Sequence, residues 1–178
     1  MYFTGNDDRD RRAEFVQRVA GGIARDGRSP YVIPVGGSDA VGAAGHALAA
    51  AEILGQCDIL GETPSAIVLA TATGGTQAGL LAGLRAMDAA VPVLGFAVAK
   101  LADELRLIVF RLASEVAGHV RADAIGPAAV HVDGSMLGDG YGMPTADATT
   151  AIEALARTEG VFADPVYTGK ALAGLLAL

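Results

Sequence analysis

Threonines and glycines that could bind an anion follow an apolar segment in the first half of the chain. Residues 66–70 are all apolar, which is typical of a strand buried in a parallel sheet, and a helix is predicted from Gln77. The N-terminus of a helix exposes unpaired N–H groups and the positive end of its dipole, and glycines let an anion approach closely. The sequence therefore predicts a phosphate-binding loop. Its residues are Thr71, Thr73, Gly74, Gly75 and Thr76.

This loop lacks the better-known phosphate-binding patterns. No Lys-Ser or Lys-Thr pair follows the glycines, and the G-x-G-x-x-G spacing of dinucleotide-binding turns is missing. On residue types alone, a tight turn between a strand and a helix remains the alternative. A second glycine pair, Gly36-Gly37, precedes Ser38 and could line a ligand cleft, although a plain strand–turn–helix connection is the simpler interpretation.

Two further loops carry tyrosine hydroxyls. Glycines flank Tyr141 in the sequence GDGYGMPT, so that loop is pliable and presents one aromatic ring. The sequence DPVYTGK places Tyr167 and Thr168 at the start of the last predicted helix. In open α/β sheets, ligands bind where strand ends meet helix starts, so both loops are candidates for a ligand site. For each loop, a surface turn with a packed tyrosine is the alternative.

Composition and charge argue against several other functions. The 178 residues include 13 Lys and Arg against 20 Asp and Glu, a net charge of −7, which disfavours a nucleic-acid partner. The three histidines show no metal-ligand spacing and Cys57 is the single cysteine, so we predict no metal and no internal disulfide. The polar N-terminus does not resemble a signal peptide. No apolar stretch approaches the roughly 20 residues that span a bilayer, so we expect no membrane partner.

Strand-like and helix-like segments alternate along the chain, which predicts an α/β fold with a parallel sheet. Helices are expected at 11–25, 38–54, 77–87, 101–119, 145–157 and from Lys170 onward. Strands are expected at 31–35, 66–70, 91–98 and 128–132. Ser38 or Asp39 and Thr145 are predicted helix N-caps, because their side chains can accept a hydrogen bond from the first helical turn.

Four segments together resemble the C-terminal part of one family, the pyridoxal-phosphate-dependent D-cysteine desulfhydrases and 1-aminocyclopropane-1-carboxylate deaminases. The matching segments are 30–46, 70–84, 138–145 and 156–175. Members of the desulfhydrase type look closer, because Thr168 follows Tyr167 where the deaminases carry Glu.

The resemblance implies an incomplete three-layer α/β/α parallel sheet of the tryptophan-synthase-β-like fold, which is fold type II of pyridoxal-phosphate enzymes. Residues 1–35 would be the remnant of the smaller domain, and residues 36–178 the C-terminal part of the larger, cofactor-binding domain. A small amino-acid substrate, a homodimer and a cytoplasmic location are further expectations from the same resemblance.

The resemblance also implies roles for the candidate residues. The loop from Thr71 to Thr76 would hold the cofactor phosphate, and Thr168 would hydrogen-bond the pyridine nitrogen as a neutral partner suited to elimination. Tyr167 would pack beside the cofactor ring, and Tyr141 would face the substrate near its reacting carbon. The implied reaction converts D-cysteine to pyruvate, hydrogen sulfide and ammonia, with L-cysteate or 1-aminocyclopropane-1-carboxylate as other possible substrates.

The chain departs from the family pattern in ways that bear on activity. The Schiff-base lysine and the Ser-Asn-His segment of the family lie in an N-terminal region missing here, and neither Lys100 nor Lys170 replaces the lysine by motif. Ala72 stands where the family usually has glycine, and Asp39 where it usually has asparagine. We therefore expect a truncated lyase. The alternatives are a non-catalytic remnant that binds a phosphorylated ligand and one half of a split enzyme.

Overall fold

A computed structural model describes residues 9–178, with side chains from residue 11 onward, and divides the chain into two compact units. The first unit ends at Val35 and contains helix α1, Arg9–Arg25. Within this unit, apolar side chains of α1 and of the segment after it line one cavity of about 410 Å³. The interpretation of this unit as the remnant of a smaller domain stays a prediction.

The prediction of a strand at 31–35 is wrong. These residues form no strand, and Val35 begins a short 3₁₀ turn that ends at Gly37. A strand requires backbone pairing with a neighbour, Pro34 has no N–H to contribute, and Gly36 turns the chain with a φ of 72°. In the described part of the chain, the sheet is built entirely within the second unit.

The second unit contains a parallel sheet of three strands in the order β1-β2-β3, counted over residues 36–178. The strands are β1 Ile67–Thr71, β2 Val93–Ala97 and β3 His131–Asp133. Ile67 is paired with Val93, and Leu94 with His131. The expected strand at 128–132 begins later than predicted, because Pro127 starts a 3₁₀ turn, Pro127–Ala129, in its place.

Helices cover both faces of this sheet. They are α2 Ala40–Leu60, α3 Gly75–Ala86, α4 Ala102–Val120, α5 Ala146–Glu159 and α6 Thr168–Leu176. On β2, a Cβ added to Gly95 would meet the side chain of Gln77 on α3, whereas Phe96 on the opposite face meets Gly174 of α6. Helices α2, α3 and α4 share the main apolar core on one face, and α5 packs on α6 on the other. The expected three-layer α/β/α arrangement is confirmed.

Two predicted N-caps are present. Asp39 Oδ1 accepts a hydrogen bond of 2.8 Å from the N–H of Gly42, and Thr145 Oγ1 accepts one of 3.2 Å from Ala148. Helix α2 continues to Leu60, beyond the expected end at residue 54, and stops at Gly61 with a φ of 71°. The segment after residue 54 has no helix-breaking proline and no glycine except Gly55, so the Ala-rich helix propagates until a left-handed residue ends it.

Small residues allow α2 and α3 to pack closely. A Cβ added to Gly83 of α3 would lie 2.6 Å from the carbonyl oxygen of Ala47 and 2.9 Å from the Cβ of Ala50. Since Ala47 and Ala50 are themselves buried, the two helices can accommodate a larger side chain only by moving apart. This contact holds α3, and therefore its N-terminus, against the rest of the core.

We expect Gly83→Ala to lower the free energy of unfolding by about 1–3 kcal/mol, the usual cost of overpacking a tight core. Gly45→Ala is the matched control, since a Cβ there meets nothing within 4 Å and α2 should gain about 0.5–1 kcal/mol from the better helix former. Urea unfolding of both variants measures the difference. Equal stabilities would contradict the close helix packing.

Candidate functional site

A cavity of about 160 Å³ opens where β1 ends and α3 begins. Residues 70–77 and Tyr167 line it. Its volume is an order of magnitude above the roughly 10–15 Å³ that a single water requires, so it can hold a small group such as a phosphate. The predicted loop and one of the two predicted tyrosines are therefore brought to one cavity.

The start of α3 offers backbone donors to this cavity. Its N-cap, Gly74, has a φ of 88° and makes no side-chain cap, so the first N–H groups of the helix have no side-chain acceptor. A Cβ at Gly74 would lie 3.1 Å from Cγ2 of Val109, and one at Gly75 would lie 2.7 Å from Oγ of Ser38. Gly74 is needed for its left-handed backbone, and a side chain at position 75 would displace the Ser38 hydroxyl. Uncapped N–H groups and a helix dipole together suit an anion.

Ala72 does not strain the loop. Apart from glycines, the positive-φ residues in the described chain are Asp88 and Arg121. The left-handed conformation lies instead at Gly74, so an alanine at position 72 is compatible with the loop.

The three threonine hydroxyls have different surroundings. Thr73 Oγ1 accepts a hydrogen bond of 2.6 Å from Oγ of Ser38 and keeps its own proton for another acceptor. The exposed Thr76 has its Oγ1 3.2 Å from Nε2 of His46. The buried Thr71 donates at 2.8 Å to Oε1 of Gln77. Thr73 and Thr76 are thus better placed than Thr71 to donate to a ligand.

Sequence reasoning missed Gln77, which ties this loop to the sheet. Its fully buried side chain accepts from Thr71 and donates to the carbonyl oxygens of His131 at 2.7 Å and Val93 at 3.3 Å. One amide is therefore bonded to residues of all three strands. Gln77, Leu81 and Leu84 recur at helical spacing, so Gln77 lies on the core face of α3. That spacing is the sequence signal that could have identified it.

The two predicted tyrosines form a pair. The phenol oxygens of Tyr141 and Tyr167 are 2.6 Å apart, and either can be the donor. Their rings pack edge to face, with centroids 5.9 Å apart and an angle of 66° between their planes. Because Tyr167 lines the cavity, the pair joins the loop that carries Tyr141 to the mouth of that cavity.

The structure places Thr168 beside the cavity and not in its lining. Thr168 begins α6, and its N–H donates at 3.0 Å to Oδ2 of Asp164. Oδ1 of Asp164 accepts from the N–H groups of Val166 at 2.8 Å and Tyr167 at 2.7 Å. Burial raises the pKa of Asp164, but these N–H groups and the Thr168 side chain outweigh it, so the pKa lies below its ordinary value of 3.8.

Neither lysine lines the cavity. Lys100 forms an ion pair with Glu104 one helical turn away, and Lys170 is fully buried with its ammonium on two backbone carbonyl oxygens. Within the described residues, no cluster of His, Cys, Asp and Glu could hold a metal ion. Among the helices of residues 9–178, none combines the length and the hydropathy that a membrane span requires.

Comparisons with known proteins agree on one family. A family model described as "Pyridoxal-phosphate dependent enzyme" matches residues 2–178. Proteins named D-cysteine desulfhydrase from Salmonella typhi and Salmonella schwarzengrund are each 40% identical over 162 residues, which is 90% of this chain and 48% of the relative. A crystal structure described as an ACC deaminase homologue matches with a TM-score of 0.85 and 31% identity, covering 97% of this chain and 51% of the other. The chain spans about half the length of the curated relatives it matches.

The carboxylate of Asp164 should stabilise the start of α6 in a pH-dependent way. A depressed pKa means that the stabilisation is present at neutral pH and is lost as pH falls through that pKa, below 3.8. We expect Asp164→Ala to cost about 0.5–2 kcal/mol at pH 7, as for other lost helix caps. Urea unfolding from pH 7 to pH 2.5 should show the gap to wild type closing in acid.

Asp123→Ala is the control for this measurement, because the Asp123 side chain is 86% exposed and makes only a 3.5 Å ion pair with Arg85. A gap between wild type and Asp164→Ala that stays constant across the pH range would contradict the assigned role.

Proposed function

This chain belongs to the family of pyridoxal-phosphate-dependent enzymes, and on that premise we propose that it carries the phosphate-binding and tyrosine-bearing part of a lyase acting on small amino acids. The reaction proposed is that of a D-cysteine desulfhydrase, in which D-cysteine and water give pyruvate, hydrogen sulfide and ammonia. L-cysteate and 1-aminocyclopropane-1-carboxylate are the other candidate substrates. One observation carries the proposal: the cavity at the uncapped start of α3 has Tyr167, hydrogen-bonded to Tyr141, in its wall.

The phosphate group would lie at the start of α3. Support comes from the uncapped N–H groups beside Gly74 and Gly75 and from the hydroxyls of Thr73 and Thr76. A phosphate carries between one and two negative charges at neutral pH, which favours this end of the helix dipole. Thr71 would contribute as part of the cavity wall, since its hydroxyl already donates to Gln77.

The remaining residues would act around the ring and the substrate. Pyridoxal phosphate, when bound, supplies an electron-withdrawing ring that stabilises negative charge on the substrate. Tyr167 would pack beside that ring, and Thr168, which follows it at the start of α6, is the proposed partner of the ring nitrogen. Tyr141 would face the substrate. Because its phenol oxygen is 2.6 Å from that of Tyr167, a proton can be held between the two.

A second candidate function follows from the position of the lysines. No lysine lines the cavity, so covalent attachment of the cofactor would require a lysine from elsewhere. One half of a split enzyme, completed by lysine-bearing residues outside these 178, fits this arrangement, and so does a non-catalytic remnant that only binds a phosphorylated ligand.

We also propose a homodimer in the cytoplasm. Large apolar side chains of α2 are exposed, and a second copy of the chain could cover them. They are Val41, Leu48, Ile59 and Leu60. A cytoplasmic location fits the single thiol of Cys57, which has no disulfide partner within the chain.

Phosphate binding can be tested with pyridoxamine phosphate, which has no aldehyde to react with lysines. We expect Thr73→Val to weaken binding about tenfold or more in calorimetric titrations, because a hydrogen bond to a charged group contributes about 1.5–3 kcal/mol. Thr158→Val is the control, since the Thr158 hydroxyl only bonds the carbonyl oxygen of Ala154 on the surface of α5. Pyridoxamine without phosphate should bind weakly to all three proteins. Equal binding of both ligands to wild type would exclude the phosphate site.

Activity can be tested with D-cysteine and pyridoxal phosphate, with pyruvate and sulfide as products. The chain is assayed alone and together with the part of the Salmonella typhi relative that it does not match. We expect product in the combined assay, and a loss of about 100-fold or more in Tyr141→Phe, the usual contribution of a general acid or base.

The outcomes of that assay separate the candidate functions. Product from the chain alone would make it a lyase in its own right, and product only in the combined assay would make it half of an enzyme. Folded chain that binds pyridoxamine phosphate but yields no product in either assay would leave the non-catalytic remnant.

A further inference from the structure

Lys170 is the largest charged side chain buried in the described structure, and the function proposed above leaves it without a role. Its side chain is fully buried in the first turn of α6. Its Nζ donates to the carbonyl oxygens of Leu137 at 2.7 Å and Gly140 at 3.2 Å. Burial holds the pKa of Lys170 below its ordinary value of 10.5, and the nearby charge of Asp139 offsets only part of this. A buried amine is costly unless it is hydrogen-bonded, and both of its partners lie in one loop.

That loop is the one that carries Tyr141. Gly138, Gly140 and Gly142 have φ values of 61°, 127° and 80°, so the loop depends on conformations that are costly to fix. Within residues 137–143 its own backbone bonds are long: the N–H of Gly140 is 3.4 Å from the oxygen of Leu137. The next turn repeats this distance, from Met143 to Gly140. The contact at 2.7 Å from Lys170 is shorter than either of these.

Lys170 also has a fixed position relative to the other tyrosine. It lies three residues after Tyr167, and the N–H of the intervening Gly169 is bonded to the carbonyl oxygen of Asp164 at 2.8 Å. A Cβ on Gly169 would lie 2.8 Å from that same oxygen, so the backbone is closely packed at this turn. The start of α6 therefore presents Tyr167 to the cavity and Lys170 to the loop.

We propose that Lys170 is a positioning residue: by holding the Leu137 and Gly140 carbonyl oxygens, it keeps the Tyr141 hydroxyl on that of Tyr167. The inference rests on the proposed function, since the position of the tyrosine pair affects activity only if the cavity binds the cofactor and substrate. It needs no cofactor for its test. Lys170 touches neither the cavity nor the tyrosine hydroxyls, and acts only through the loop backbone.

The test uses 3-fluorotyrosine in the full chain and ¹⁹F NMR. The chain has no tryptophan and four tyrosines, so the resonances of Tyr141 and Tyr167 can be assigned with single Tyr→Phe variants. In the wild-type background, Tyr167→Phe should shift the Tyr141 resonance, because it removes the hydroxyl partner. In the Lys170→Met background, Tyr141 should move toward the shift of free 3-fluorotyrosine and should no longer respond to Tyr167→Phe.

Lys100→Met is the matched control, because Lys100 is the other lysine of the chain and its partner is Glu104 on the surface. It should leave the response of Tyr141 to Tyr167→Phe unchanged. A Lys170→Met protein that is folded by circular dichroism and keeps that full response would overturn the proposal.

A second variant covers the case in which Lys170→Met does not fold. Gly140→Ala places a Cβ where φ is 127°, in open space, so it disturbs the held carbonyl without touching the core. It should also abolish the response, and a full response would overturn the proposal. Failure of the proposed function is seen separately, as loss of pyridoxamine phosphate binding at the threonine loop, which this NMR measurement does not involve.

Discussion

The buried amide of Gln77 is the interaction on which the candidate site depends. Its oxygen accepts from Thr71 at the end of β1, and its nitrogen donates to carbonyl oxygens of β2 and β3. An unpaired amide in this core would cost about 1–3 kcal/mol, so the side chain is stable only with the loop and the strands in this register. The position of the first turn of α3, and hence the direction of its N–H groups, follows from these bonds.

A second set of contacts brings the tyrosines to the same place from the other face of the sheet. The carboxylate of Asp164 orders the turn before α6, and that turn places Tyr167 in the cavity wall. One helical turn later, Lys170 reaches the loop of Tyr141. The site thus combines the N-termini of α3 and α6, which lie on opposite faces of the sheet. The buried amide of Gln77 holds the first, and the capping carboxylate of Asp164 holds the second.

The sequence predicted the parts of this site better than it predicted their connections. The apolar run at 66–70 and the small residues after it located the cavity, because strand burial and helix capping are local properties. The partners of Gln77 and Lys170 lie far along the chain, and no local pattern specifies them. The expected strand at 31–35 failed for the same reason, since pairing with a neighbour decides whether an extended segment becomes a strand.

Because the cavity wall carries no charged residue, binding of an anion there depends on the position and alignment of the loop. Among the residues that line it there is no Lys, Arg, Asp or Glu, so an anion would be held by backbone dipoles and hydroxyls alone. Asp39, which stands where the family usually has asparagine, caps α2 at the N–H of Gly42, where a helix dipole favours its negative charge. Dipoles act over short distances and only when aligned. A flexible lysine side chain could follow a small displacement of α3 and keep its contact with an anion, whereas backbone N–H groups cannot. Such a displacement would therefore weaken anion binding at this site. Close glycine contacts and the buried amide of Gln77 hold the loop of neutral residues in place.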